Sequence, residues 1–87
     1  MKYKRLRNIL SSAFSHQTDL DSVSAKALYE RALLADVELR VEVVSALGDS
    51  GMSWMEMLSN DEYEVYEAVD EADAVCYARR ILASDFL

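Results

Sequence analysis

From Tyr3 onward, apolar residues recur at Leu6, Ile9, Leu10, Ala13 and Phe14, the three-and-four spacing of one helix face. Lys2, Lys4, Arg5 and Arg7 lie mostly off that stripe, so the pattern predicts an amphipathic helix from about Lys2 to His16. The polar stretch Gln17 to Ser22 reads as a short connection. A second helix is expected from Ser22 or Ser24, both good N-cap residues, with Ala25, Leu28, Tyr29, Ala32 and Leu33 as its apolar face.

Residues 37–47 are ambiguous. Val37, Leu39, Val41 and Val43 alternate with Glu38, Arg40 and Glu42, which is a strand pattern rich in β-branched residues. The same residues also form two adjacent helical rows, Val37-Val41-Val44 and Leu39-Val43-Leu47. Asp36 is placed to cap a helix, and Gly48 to end it as a left-handed C′ residue. Those two signals, three turns apart, favour a largely buried third helix.

Asp36 to Gly48 also resembles the second half of a HEAT-type helical repeat. The acidic start, Arg40, the pair Val43-Val44 and the ending Ala46-Leu47-Gly48 carry the likeness. A solenoid needs about three stacked units, and a chain of 87 residues has no room for them. No family follows from so short a match.

Ser53-Trp54-Met55-Glu56 has the form of a capping box and predicts a short helix ending near Leu58. Ser59-Asn60-Asp61-Glu62 has the same form. It predicts a last helical segment running toward Ala83, with a fresh cap at Asp70 as a variant. Arg79 and Arg80 fall in its final turn, where positive charge suits the helix dipole. The expected fold is an all-α bundle of four to five helices in one domain, residues 1–87. The alternative is an α+β fold with a short strand at 37–43.

Composition supports this reading. Hydrophobic residues make up 52% of the chain, too many for disorder. No apolar run approaches the roughly 18 residues of a membrane span. Two glycines and no proline disfavour a turn-rich sandwich or barrel. Cys76 is the only cysteine, so an internal disulfide is excluded; its apolar neighbours suggest an inert core thiol. With no signal-peptide pattern at the start, a cytoplasmic location is expected.

Candidate chemistry is sparse. Gly48-Asp49-Ser50-Gly51 has the letters of a serine-nucleophile motif, but that chemistry needs a histidine base and an oxyanion hole. The single histidine, His16, lies in a helical context, so the four residues read as a turn. One His and one Cys offer no zinc spacing, and no glycine loop cradles phosphate. The expectation is a non-enzymatic protein with no metal, no cofactor and no small-molecule substrate.

Charge is the more informative signal. The net charge is −7, yet Lys2, Lys4, Arg5 and Arg7 put four positive charges at one end. Glu56, Asp61, Glu62, Glu64, Glu67, Asp70, Glu71 and Asp73 place eight acids and no base between residues 56 and 73. On a continuous helix Glu64, Glu67 and Glu71 would form one stripe flanked by Tyr63 and Tyr66. The charge spacing would then be comparable to that of a nucleic-acid backbone. Met52, Trp54, Met55, Met57 and Leu58 form a cluster suited to a core or to an interface.

The leading expectation is a small acidic inhibitor that engages a basic, nucleic-acid-binding protein, as anti-CRISPR proteins of phages and mobile elements can. Its site would comprise Asp61, Glu62, Glu64, Glu67, Asp70, Glu71 and Asp73 with Tyr63, Tyr66, Trp54 and Met55. A second expectation is a helical adaptor that dimerises or docks through the Trp54–Met57 patch. A third is a DNA-binding regulator led by the basic first helix. The overall acidity disfavours that third reading, and a latch between the basic start and acids elsewhere is an equal use for those charges.

Overall fold

A computed structural model describes residues 3–16 and 18–87. Five α-helices follow in order: α1 (Lys4–Ile9), continued by a π-helical turn (Leu10–Phe14), α2 (Ser22–Ala35), α3 (Val37–Leu47), α4 (Trp54–Leu58) and α5 (Glu71–Leu82). No sheet forms among the described residues. The only β pairing among them is an isolated antiparallel bridge between Ser59 and Glu64. The ambiguous 37–47 segment is thus a helix and the fold is all-α. Its radius of gyration of 11.8 Å matches the ~12 Å of one packed body of this length.

Each helix buries one apolar stripe, although Leu28, expected on the α2 face, is exposed. Leu6, Ile9, Leu10 and Ala13 come from the first segment, and Ala25, Tyr29 and Leu33 from α2. Leu39, Val43 and Ala46 come from α3, and Ala74, Ala78 and Leu82 from α5. Trp54, Met57 and Leu58 join most of these, together with Tyr63 and Val65, in one cluster. The π turn has a local cause. The Ser12 and Ser15 hydroxyls donate to the Asn8 and Ser11 carbonyls, each at 2.8 Å, taking the i−4 acceptors that a regular α ladder would use.

Several helix ends are capped by side chains from other elements. At the start of α1, Tyr3 has a left-handed φ of 61° and supplies no side-chain cap. Glu42 of α3 accepts instead from Arg5 N at 2.9 Å and Leu6 N at 3.1 Å. The Arg5 guanidinium reaches Asp36 at 3.2 Å, Glu38 at 3.0 Å and Glu42 at 3.7 Å, the latch considered from charge alone. Arg7 turns inward, its Nη1 3.8 Å from Met57 Sδ. Lys2, the fourth basic residue of that segment, and Gln17 lie outside the described residues. At the C-terminal end of α5, Tyr29 donates to Leu82 O at 2.8 Å, and Lys26 donates to the carbonyls of Ile81 and Ala83. The dipole role expected of Arg79 and Arg80 is thus supplemented from α2.

Five local expectations are corrected. Asp21, not Ser22 or Ser24, caps α2, its Oδ1 accepting from Ser24 N at 2.7 Å. Gly48 has φ −98°, so the C-terminus of α3 needs no left-handed residue. The third helix is buried on one side only: Val37, Val41 and Val44 are 54–60% exposed. Cys76 is exposed rather than a core thiol. The largest difference is the stretch 59–70, expected as helix, which is an irregular loop before α5 starts at Glu71.

Candidate partner-binding surface

The loop at 59–70 exists because its polar side chains satisfy backbone groups that a helix would have satisfied. The Asn60 side chain accepts from Glu62 N at 2.9 Å and Tyr63 N at 3.2 Å, closing an Asx turn in place of a helix cap. Val65 N donates to Leu58 O at 2.7 Å, and His16 N to Glu64 O at 2.8 Å. Asp70 then caps α5 through Asp73 N at 2.8 Å. Tyr63, Val65, Tyr66 and Val69 are poor helix formers, so propensity also disfavours continuation.

This loop divides the acidic run into two groups. Asp70, Glu71, Asp73 and Glu64 are engaged internally. Glu71 accepts from Ser53 Oγ at 2.8 Å, Trp54 N at 2.7 Å and Met55 N at 3.4 Å, which makes it the cap of α4. Ser53 does cap Glu56 N at 3.3 Å, as the box predicts. The reciprocal acid, however, is Glu71 from α5. Asp73 accepts from Tyr66 Oη at 2.8 Å and Val69 N at 3.1 Å. Glu64 lies 3.3 Å from His16 Nδ1. The helical stripe Glu64-Glu67-Glu71 therefore does not form, nor does its regular charge spacing.

The second group is Glu56, Asp61, Glu62 and Glu67. All four are exposed, and among the described residues none of their carboxylates is in an ion pair or hydrogen bond. Glu56 and Glu67 line a shallow groove of about 440 Å³ with Ser53, Met55, Ser59 and Ala68. Met55, 37% exposed, supplies an apolar surface there. Asp61 and Glu62 sit on the Asx turn beyond it.

The aromatic candidates separate in the same way. Trp54 is buried at 3% exposure and Tyr63 at 2%, the latter donating to Met57 O at 2.7 Å. Tyr66 is half-buried and stacks on Tyr77 with ring centroids 4.0 Å apart and planes within 3°. The hydrogen bond to Asp73 raises the Tyr66 phenol above its usual range. Burial raises those of Tyr29 and Tyr63. Trp54, Tyr63 and Tyr66 therefore hold the surface in place, and Met55 is the one apolar side chain among the predicted site residues that lines the groove. Within the Trp54–Met57 patch, Trp54 and Met57 are buried and only Met55 and Glu56 are exposed.

Sequence reasoning missed the structural roles of Glu71, Asp73 and Asn60. The Asp70-x-x-Asp73 spacing was a readable cap signal. The contacts of Glu71 span 16 to 18 residues and left no local trace. The Gly48–Gly51 segment is a turn, with Asp49 Oδ1 accepting from Gly51 N at 3.0 Å. Among the described residues, no group of His, Cys, Asp and Glu is arranged to hold a metal ion. Nor is any helix long and apolar enough to cross a membrane. No protein-family model, curated protein or solved structure matches the chain.

Proposed function

We propose that this chain is a non-enzymatic protein-interaction domain whose acidic surface engages a basic, nucleic-acid-binding protein and occupies the face that would grip a phosphate backbone. The observation that supports it is the groove at Met55, with Glu56 and Glu67 lining it and Asp61 and Glu62 on the adjacent turn. An Arg or Lys side chain fits that chemistry: the aliphatic stem packs on Met55 and the charged head meets the carboxylates. The loop that carries Asp61, Glu62 and Glu67 is held by at least six side-chain and backbone bonds. Ordering it on binding therefore costs little. An irregular array of carboxylates is a docking surface for arginines and lysines, not a geometric copy of a nucleic-acid strand.

The test compares affinity capture from the source organism by the wild type and by the variant Glu56→Gln, Asp61→Asn, Glu62→Gln, Glu67→Gln. A basic protein captured by the wild type, lost with the variant and released as salt rises past about 0.5 M supports the reading. Capture that survives all four substitutions at full strength overturns it.

A second reading, a self-associating or adaptor module, is favoured by a different observation from the one first expected. With Trp54 and Met57 buried, the second reading rests on an exposed apolar row on α3. Val37, Val41 and Val44 line a shallow groove of about 480 Å³ with Phe86 and Leu87. Sedimentation across concentration separates the readings, because Val41→Glu with Val44→Glu would abolish self-association and leave the acidic surface intact. Binding of DNA through the first helix has the least support, since Arg5 is latched to three acids and Arg7 is turned inward.

A further inference from the structure

A second cavity has the opposite electrostatic character. It measures about 490 Å³ and is bounded by the π turn with the residues after it, the first turns of α2, Val65, and the second half of α5. Phe14, Tyr77 and Ile81 contribute apolar surface, and His16, Lys26 and Arg80 contribute basic groups. No acid lines it, in a chain of net charge −7. Three acids adjoin the lining residues without lining the cavity: Glu64, which pairs with the His16 ring, Asp21, which accepts from Ser24 N, and the exposed Asp19 beside Leu20.

The basic groups are positioned rather than loose. Lys26 donates to two carbonyls at the end of α5, which leaves one of its three ammonium hydrogens uncommitted. The Arg80 guanidinium lies 5.0 Å from the centroid of the Tyr77 ring and pairs with no acid among the described residues. Tyr77 is in turn fixed by stacking on Tyr66. Two irregular backbone features stand at this cavity: the π turn that carries Ala13 and Phe14, and the loop containing Asp19 at φ 57°, next to the lining residue Leu20. Neither would be needed to pack a simple helical bundle.

We propose that this cavity binds a small organic anion with an apolar body. The carboxylate or similar head is held by Arg80 and Lys26, and the body lies against Phe14, Tyr77 and Ile81. The volume falls within the range of small-molecule sites, and a planar guanidinium is the side chain best shaped to grip a carboxylate. The acidic groove would repel such a ligand, so the two sites take chemically opposite partners. This goes beyond the protein-interaction reading, and it adds a bound ligand without making the chain an enzyme with a small-molecule substrate.

The test uses the whole chain and 1-anilinonaphthalene-8-sulfonate, an aromatic sulfonate whose emission rises in apolar sites. Decanoate is the competitor, and N-phenyl-1-naphthylamine is the uncharged control. The expected result is one saturable site that decanoate displaces and the neutral dye occupies at least tenfold more weakly. Arg80→Gln should weaken sulfonate binding about tenfold, with Arg80→Lys restoring part of it. Leu20→Trp, which narrows the mouth, should weaken both dyes. Circular dichroism confirms that each variant is folded. Emission that does not saturate, equal binding of the neutral dye, or full affinity in folded Arg80→Gln each overturns the proposal. So does loss of the signal in Val41→Glu, Val44→Glu, which would place the dye on α3.

Discussion

Replacing Glu71 with alanine removes the acceptor that caps α4 from α5. The short contacts are to Ser53 Oγ at 2.8 Å and Trp54 N at 2.7 Å; the third, Met55 N at 3.4 Å, is long enough to add little. A hydrogen bond to a charged group contributes about 1.5–3 kcal/mol. The Glu71 carboxylate is exposed, so water regains much of the lost interaction. The low end, about 1.5 kcal/mol in total, is therefore expected. With a urea m value near 1 kcal/mol/M for a domain this small, the midpoint should fall by about 1.5 M. The assay is urea unfolding followed by fluorescence, since Trp54 is the only tryptophan and sits in the first turn of α4. Far-UV circular dichroism reports the global transition alongside it. Glu67→Ala is the control, expected to shift stability by less than ~0.5 kcal/mol because its carboxylate makes no internal contact among the described residues. Equal midpoints for Glu71→Ala and wild type, or an equal loss for Glu67→Ala, would refute the division of the acidic run into structural and free groups.

Tyr29, Tyr63 and Tyr66 are all raised above the ordinary phenol value of 10.0. Their contribution is complete below pH 10 and falls as pH rises through the folded values, so unfolding should set in on the alkaline side; Tyr29→Phe should flatten that dependence. Cys76, being exposed, should react with Ellman's reagent in the native protein to one equivalent without denaturant; a thiol that reacts only in urea would contradict its placement. Arg7 has a buried Nε with no hydrogen-bond partner. Arg7→Met should therefore leave stability unchanged or raise it by up to about 1 kcal/mol, read from the thermal midpoint.

The helices that the sequence marked well are those whose signals are local. Asp36 as a cap and the distance from it to Gly48 separate helix from strand at 37–47, despite the alternating valines. Exposure of Val37, Val41 and Val44 was not legible there, because a row of three valines reads alike whether or not a neighbour covers it. The stretch 59–70 failed for a different reason. Ser59-Asn60-Asp61-Glu62 suits both a helix start and an Asx turn, and only the bonds from Leu58, His16 and Asp73 decide between them. Charge density marks where the acids cluster, but the use of each acid depends on partners remote in sequence. Glu42 on the start of α1 and Glu71 on the start of α4 are both of that kind.

The two groups of acids also differ in how evolution can treat them. A shorter Asp at position 71 would not reach Trp54 N, and a longer Glu at position 70 or 73 would disturb a cap, so those positions tolerate little exchange whatever the protein does. Asp61, Glu62, Glu56 and Glu67 are under no such restraint from the fold. In descendants of this chain they should drift freely to Ser, Gln or Lys unless a partner holds them. Retention of acid at those four positions would therefore be a trace of binding, whereas retention at 70, 71 and 73 would record only the fold.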